Sequence, residues 1–242
     1  MEMNETKLTF KRTEKKYLLS SGLFDALWAR IGDRMEPDDY PRSTVCSIYY
    51  DTDDYRLIRN SIEGPVYKEK LRLRSYHVPG PEDPVFVELK KKYKGVVYKR
   101  RVSLPAREAE AWLDRDEHPD ADSQMIREID WFLHSLRPRA KALLACDRDA
   151  WRAKDDPELR ITFDRDIRWR EEDLHLSSGS EGEPLLPAGE VLMEIKTPTA
   201  APLWLAHALS ELAIFPTSFS KYGTCYKEHI LQEYIFGGSI HA

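Results

Sequence analysis

The chain has 242 residues, of which 41% are hydrophobic, 11% aromatic and 33% charged, and its net charge is −5. That length suits one domain with a sizeable core, here taken as residues 1–242, and a slightly acidic balance excludes a general attraction to nucleic acid, so any anion site must gather its cations locally. The three cysteines, Cys46, Cys146 and Cys225, lack metal-ligand spacing. With no apolar signal-peptide core in Met1–Lys16 and no apolar run near the ~18 residues of a spanning helix, the expectation is a cytoplasmic chain with free thiols and no membrane insertion.

In chain order, imperfect alternation over Leu8–Leu19 predicts a first strand, and Leu23, Ala26, Leu27, Ile31 and Met35 carry helical spacing over Leu23–Met35. Thr44–Asp51 is β-branched and aromatic. Val66–Ser75 and Val85–Lys92 alternate sharply, and Val96–Leu104 follows a Lys94-Gly95 turn as the second arm of a hairpin. Glu108–Leu113 and Ser123–Leu136 read as helices. Lys141–Ala150, Leu159–Arg168 and Glu190–Thr197 read as strands, with a loop of turn formers at Ser177–Pro184. Pro202–Leu212 and Tyr222–Phe236 close the chain as helices. Eight strands, few helices and no β-α-β rhythm predict an α+β fold: a closed antiparallel eight-stranded β-barrel with peripheral helices.

Strand parity carries the functional reading, because residues two apart share a face. Lys68, Lys70, Arg72 and Arg74 share one face of their strand, while Leu71 and Leu73 on the other need a core. Glu88, Lys90 and Lys92 stand together opposite Val87 and Leu89. Lys99 pairs with Arg101. Arg160, Thr162 and Asp164 share a face, as do Leu192, Glu194 and Lys196, and Arg148 follows Cys146 on another. A Glu-x-Lys pair recurs at Glu14–Lys16, Glu88–Lys90 and Glu194–Lys196. One such pair is an ordinary same-face salt bridge. Three beside arginine-rich faces point to a charged bore in which cations bind phosphate oxygens and glutamates hold a hard divalent metal. The histidines stand at no metal-binding spacing, and neither a Gly-x-Ser-x-Gly elbow nor a Gly-x-x-x-x-Gly-Lys phosphate loop is present, so side chains rather than a glycine-rich backbone would recognise the phosphate.

These residues fall into an ordered set: Arg12-Thr13-Glu14-Lys15-Lys16-Tyr17, Tyr49-Tyr50-Asp51-Thr52, Lys70-Leu71-Arg72-Leu73-Arg74, Phe86-Val87-Glu88-Leu89-Lys90, Gly95 to Lys99-Arg100-Arg101, Arg160 to Asp164, Glu194-Ile195-Lys196 and Phe219-Ser220-Lys221-Tyr222. In that order they resemble the VTC (vacuolar transporter chaperone) domain family of the triphosphate tunnel metalloenzymes, from about Phe10 to Tyr234. The resemblance implies a tunnel of eight strands and a polyphosphate polymerase that moves the γ-phosphate of ATP onto a polyphosphate chain with Mn2+ or Mg2+. It implies catalytic cations at Lys16, Arg72, Arg74, Lys90, Arg160 and Lys196, and phosphate contacts from Lys70, Lys99, Arg101, Arg148, Ser220 and Lys221. The metal would fall to Glu194, with Glu88 and Glu14 next. Hydrolytic relatives open on Glu-x-Glu-x-Lys. Arg12 stands where the first glutamate would be, which favours the polymerase branch, while a triphosphate hydrolase and a non-catalytic polyphosphate-binding module stay open. Polymerase members act in membrane complexes, which leaves room for a membrane-protein partner.

Overall fold

In the computed structural model, residues 13–232 are described, apart from 95, 122 and 199. Among the described residues nine strands form one hydrogen-bonded sheet: β1 (Thr13–Leu19), β2 (Met35–Asp51), β3 (Tyr67–Ser75), β4 (Pro84–Tyr93), β5 (Val96–Pro105), β6 (Arg139–Ala153), β7 (Arg160–Arg170), the two-residue β8 (Glu183–Pro184) and β9 (Val191–Thr197). Their order is β1-β9-β7-β6-β2-β3-β4-β5, with β8 pairing to β7. The described ladders are antiparallel, as expected. The closed eight-stranded barrel is not formed. The path has two ends, and among the described residues β1 and β5 do not pair. Apart from its ladder with β9, β1 makes a one-residue bridge at Lys16, whose carbonyl accepts from the Thr217 N–H at 2.7 Å. A single bridge satisfies one stretch of edge backbone without extending the ladder, and alternation within a strand carries no information on whether a sheet closes.

The chain divides into two compact units, each discontinuous in sequence. The first comprises 13–42, Arg148–Arg165 and Gly189–Ser218. Helices α1 (Ser21–Ile31) and, later in the chain, α5 (Leu203–Glu211) belong to it. Ser20 starts α1 as an N-cap, its side chain accepting from the Leu23 N–H at 3.3 Å. The helix stops at Gly32, earlier than the apolar spacing predicts, because Met35 already belongs to β2. The core of this unit joins Leu27 and Ile31 of α1 to Ile161 and Phe163 of β7 and to Met193 and Ile195 of β9.

The second unit comprises Ser43–Asp147, Asp166–Ala188 and the chain from Phe219. It contains α2 (Arg56–Glu63), α3 (Ala106–Arg115), α4 (Gln124–Leu136) and the short α6 (Lys221–Cys225). Leu71, Leu73, Val85, Val87 and Leu89, the apolar parity of β3 and β4, are fully buried in its core with Trp112 and Phe132 from the helices. Each such leucine contributes about 1.5–3 kcal/mol by leaving water, which holds the opposite, cationic parity on the other face.

α2 was not legible from apolar spacing. Asp51 begins it: fully buried, it accepts from the backbone N–H groups of Thr52, Leu57 and Ile58 at 2.8–3.0 Å and from the Tyr222 hydroxyl at 3.1 Å. The loop after β7 is also more ordered than its composition implies. Arg168 and Arg170 donate to the carbonyls of Ser180, Gly179 and Glu181, so two guanidinium groups satisfy backbone that no ladder reaches. None of the three cysteines forms a disulfide and all are buried, and burial pushes the Cys46 thiol up to about 11.

Candidate functional site

The second unit collects seven of the expected cations. Register sets the face: Arg72 lies opposite Tyr49 of β2 and Glu88 of β4, and Glu88 lies opposite Arg101 of β5. Glu88 is 1% exposed and receives three cations. Arg72 approaches Oε2 with Nε at 2.7 Å and Nη2 at 2.6 Å; Lys99 Nζ and Arg101 Nε approach Oε1 at 2.6 and 2.9 Å. Burial alone would raise this carboxyl, but Arg72, Arg74 and Lys99 hold it well below the usual carboxylate range. Three cations against one carboxylate leave the cluster positive. Crowding shows in Lys99, lowered first by burial and further by Arg101 and Arg72, with Glu88 opposing.

Arg74 Nε donates to Ser47 Oγ at 3.0 Å, and Arg72 Nη1 donates to Tyr49 Oη at 3.3 Å. Arg101 Nη2 donates to Tyr76 Oη at 2.7 Å, and its guanidinium lies 3.8 Å from the Phe86 ring centre. Tyr49 is buried, which would raise its phenol, yet Arg72, Arg74 and Lys70 outweigh burial and bring it down to about 7. Its ring stacks on Tyr222 at 4.7 Å.

Ser220 closes this side. It caps α6, accepting from the Gly223 N–H at 3.2 Å, and also accepts from Lys70 Nζ at 3.1 Å, so its own proton is left to donate elsewhere. Gly223 leaves Ser220 its position, since a Cβ there would lie 3.1 Å from Ser220 Cβ and 3.2 Å from Oγ and would press on both. Lys221 follows at the first position of α6 and is half-buried. Lys90 stands opposite Lys70 and Lys99 in register and is exposed.

The first unit holds its own charged residues on β1, β9 and β7. Glu14 opposes Lys196 and Lys16 opposes Glu194, so opposite charges face across the ladder. Lys196 Nζ lies 3.2 Å from Glu194 Oε1, and Lys16 Nζ lies 3.9 Å from Glu14 Oε1. On β7, Arg160 opposes Lys196, and Thr162 opposes Glu194. Burial would raise the Glu194 carboxyl, but Lys196, Lys16, a hydrogen bond with Glu14 and Arg148 together hold it far below its usual range. Arg148 makes a two-pronged contact with buried Asp164, at 2.6 and 2.8 Å, while Arg160 lies 3.4 Å from Asp38.

The expected metal ligands thus differ in surroundings. Glu14 and Glu194 share one face of the β1–β9 ladder, and two carboxylates suit Mg2+ or Mn2+, which keep waters and share substrate phosphates rather than fill an all-protein cage. Both oxygens of Glu88 face cation nitrogens, which fits a counter-ion and not a metal ligand. Among the described residues, no group of three His, Cys, Asp or Glu side chains has metal-binding geometry. Arg12, singled out in the sequence, lies outside the described residues, as does Gly95. Sequence reasoning assigned no role to Tyr49, Tyr76 or Asp164. For Tyr49 a signal existed: Ser47, Tyr49 and Asp51 form the polar parity of β2 against Cys46, Ile48 and Tyr50.

A family model described as the VTC domain matches residues 11–230. No curated protein matches the chain in sequence. Among solved structures, a protein described as a candidate adenylate cyclase from Bacillus halodurans is similar with a TM-score of 0.53 at 15% identity, covering 86% of this chain and 92% of that one. A candidate adenylyl cyclase from Hippeastrum, described as having a dominant triphosphatase activity, gives a TM-score of 0.52 at 14% identity, covering 89% and 94%. At these identities the likeness is one of fold. No helix among the described residues is long and apolar enough to cross a membrane.

Proposed function

The chain belongs to the VTC domain family, and from that premise we propose that it binds the phosphates of ATP and polyphosphate on its cationic strand faces and transfers the γ-phosphate of ATP to a polyphosphate chain with Mn2+ or Mg2+. The observation that carries this reading is the convergence of Arg72, Lys99 and Arg101 on the single buried carboxylate of Glu88. A half-buried face with that imbalance is costly without an anion and is stabilised by one.

On this reading Lys70, Arg72, Arg74, Lys90, Lys99 and Arg101 bind non-bridging phosphate oxygens by charge-assisted hydrogen bonds, with Lys221 beside them and Ser220 donating its free proton. Lys16, Arg148, Arg160 and Lys196 provide the same chemistry in the other unit. Arginines bind two oxygens in a fixed plane, so they set orientation, whereas lysines act as point charges that tolerate a moving chain. Glu14 and Glu194 would hold the metal, which when bound neutralises charge developing on the transferred phosphoryl group.

The test is incubation of the protein with ATP and Mn2+ or Mg2+ and separation of products on a urea gel. A long anionic polymer supports the reading. Orthophosphate from tripolyphosphate without polymer makes the protein a hydrolase, and strong thermal stabilisation by polyphosphate with no turnover makes it a binding module; either result overturns the polymerase assignment.

A further inference from the structure

Thr162 Oγ1 is a buried hydroxyl that no chemistry above uses. The residue is 8% exposed, and the oxygen has no hydrogen-bond partner among the described residues. Burying a hydroxyl unpaired costs about 1–3 kcal/mol, and a valine of the same shape would avoid that cost. The group's position shows where a partner would sit. Thr162 lies between Arg160 and Asp164 on one face of β7 and directly opposite Glu194 in register. Directly opposed residues on neighbouring strands share a face, so the hydroxyl stands on the side from which Glu194 projects. Glu14 opposes Lys196, two positions along β9 from Glu194, and so lies on the same face of the β1–β9 ladder. Two carboxylates and an unpaired hydroxyl are therefore presented by three adjacent strands, β1, β9 and β7.

We propose that Thr162 Oγ1 is a third oxygen donor of a divalent-cation site formed with Glu14 and Glu194. The inference rests on the functional reading above, because it takes the acidic pair as the metal site. The chemistry suits hard cations: Mg2+ takes oxygen donors only, tolerates few protein ligands, and in phosphate-loop enzymes accepts a serine or threonine hydroxyl beside a carboxylate. A hydroxyl adds coordination without adding negative charge. Lys16 and Lys196 already lie against the pair, and a third carboxylate there would repel the phosphates the metal has to share. Threonine is also the β-branched residue that fits the centre of a strand while carrying such an oxygen.

The test is Mn2+ binding to the full chain without nucleotide, read by calorimetry and by the spectrum of the free ion, for the wild type, Thr162→Val, Thr162→Ser and Glu194→Gln. Thr162→Val should weaken Mn2+ binding by about 10–100-fold, the range for losing a group that supports a metal site, while its melting temperature holds or rises. Thr162→Ser, which keeps the oxygen, should bind within a few-fold of wild type. Wild-type affinity in Thr162→Val, with Glu194→Gln defective, overturns the proposal and leaves the acidic metal site standing. No Mn2+ binding by the wild type overturns both. A third result also sinks it: Thr162→Val binds Mn2+ normally but loses affinity for tripolyphosphate in the absence of metal, which would make the hydroxyl a phosphate donor.

Discussion

Replacing Glu88 by glutamine keeps the shape of the side chain and removes the only negative charge that Arg72, Lys99 and Arg101 share. The carboxylate is 1% exposed and its four cation contacts span 2.6–2.9 Å. Removing one partner of a buried ion pair leaves uncompensated charge and costs about 3–5 kcal/mol; at about 2–4 °C per kcal/mol for a chain of this size, the melting temperature should fall by about 6–20 °C. Tripolyphosphate should recover more of that loss in the variant than it adds to the wild type, since it supplies the missing negative charge. The pH dependence has a definite sign. The folded-state carboxyl is held below its unfolded value, so its stabilisation is complete above the ordinary glutamate range and disappears as pH falls through the folded value. The gap between wild type and Glu88→Gln should therefore be widest at neutral pH and narrow only in strong acid. Denaturant melts across pH, with and without tripolyphosphate, measure all three effects. An unchanged melting temperature with lost Mn2+ binding would refute the counter-ion assignment and make Glu88 a metal ligand.

Arg74→Ala should weaken tripolyphosphate binding by about 1.5–3 kcal/mol, the range for a charged hydrogen bond, or about 10–150-fold in Kd, with little loss of stability; calorimetry and melts separate the two. Tyr49 is brought down to about 7, so a tyrosinate absorbance band should grow in through neutral pH, vanish in Tyr49→Phe, and retreat to higher pH when tripolyphosphate neutralises the neighbouring cations. Gly223→Ala places a Cβ 3.1 Å from Ser220 Cβ and should reduce phosphate affinity more than stability, by displacing the Ser220 hydroxyl. Asp51→Ala leaves three backbone N–H groups and the Tyr222 hydroxyl unpaired, at about 1–3 kcal/mol each, and should abolish hydrogen-exchange protection in α2 first.

Alternation predicted much of this structure because the two faces of β3 and β4 differ so sharply. Leu71, Leu73, Val87 and Leu89 are fully buried, and that obliges Lys70, Arg72, Arg74 and Glu88 to share the other face. What parity could not supply was the partner across each ladder. The first half of β2, with Pro37, Pro41 and mostly polar neighbours, extends as strand without any apolar alternation to announce it. α2 depends on buried Asp51, whose sequence context suggested only a turn after a strand. Closure of the barrel was inferred from the number of strands, the absence of a β-α-β rhythm and the family resemblance, whereas it is decided by the pairing of the two outermost strands, and β1 makes an isolated bridge to Thr217.

The three Glu-x-Lys pairs show where the limit lies. Within their strands Glu14, Glu88 and Glu194 look alike: each precedes a lysine by two residues, and the sequence alone gave all three one role. Their cross-strand neighbours separate them. Glu88 has Arg72 in register on one side and Arg101 on the other, so its charge is consumed by its own sheet. Glu194 has Lys16 on one side but Thr162 on the other, a neutral hydroxyl that leaves the carboxylate a direction in which to bind something else. On the proposed reading the role of each carboxylate is set by its neighbours across the ladder, Thr162 standing 32 positions from Glu194 and Arg101 13 from Glu88. Moving the distinction experimentally should follow the same logic: a cation placed at 162, as in Thr162→Lys, would convert Glu194 into a second counter-ion, abolishing Mn2+ binding while tripolyphosphate still binds without metal. Retention of Mn2+ binding by that variant would show that register neighbours do not decide which carboxylate is left for a metal.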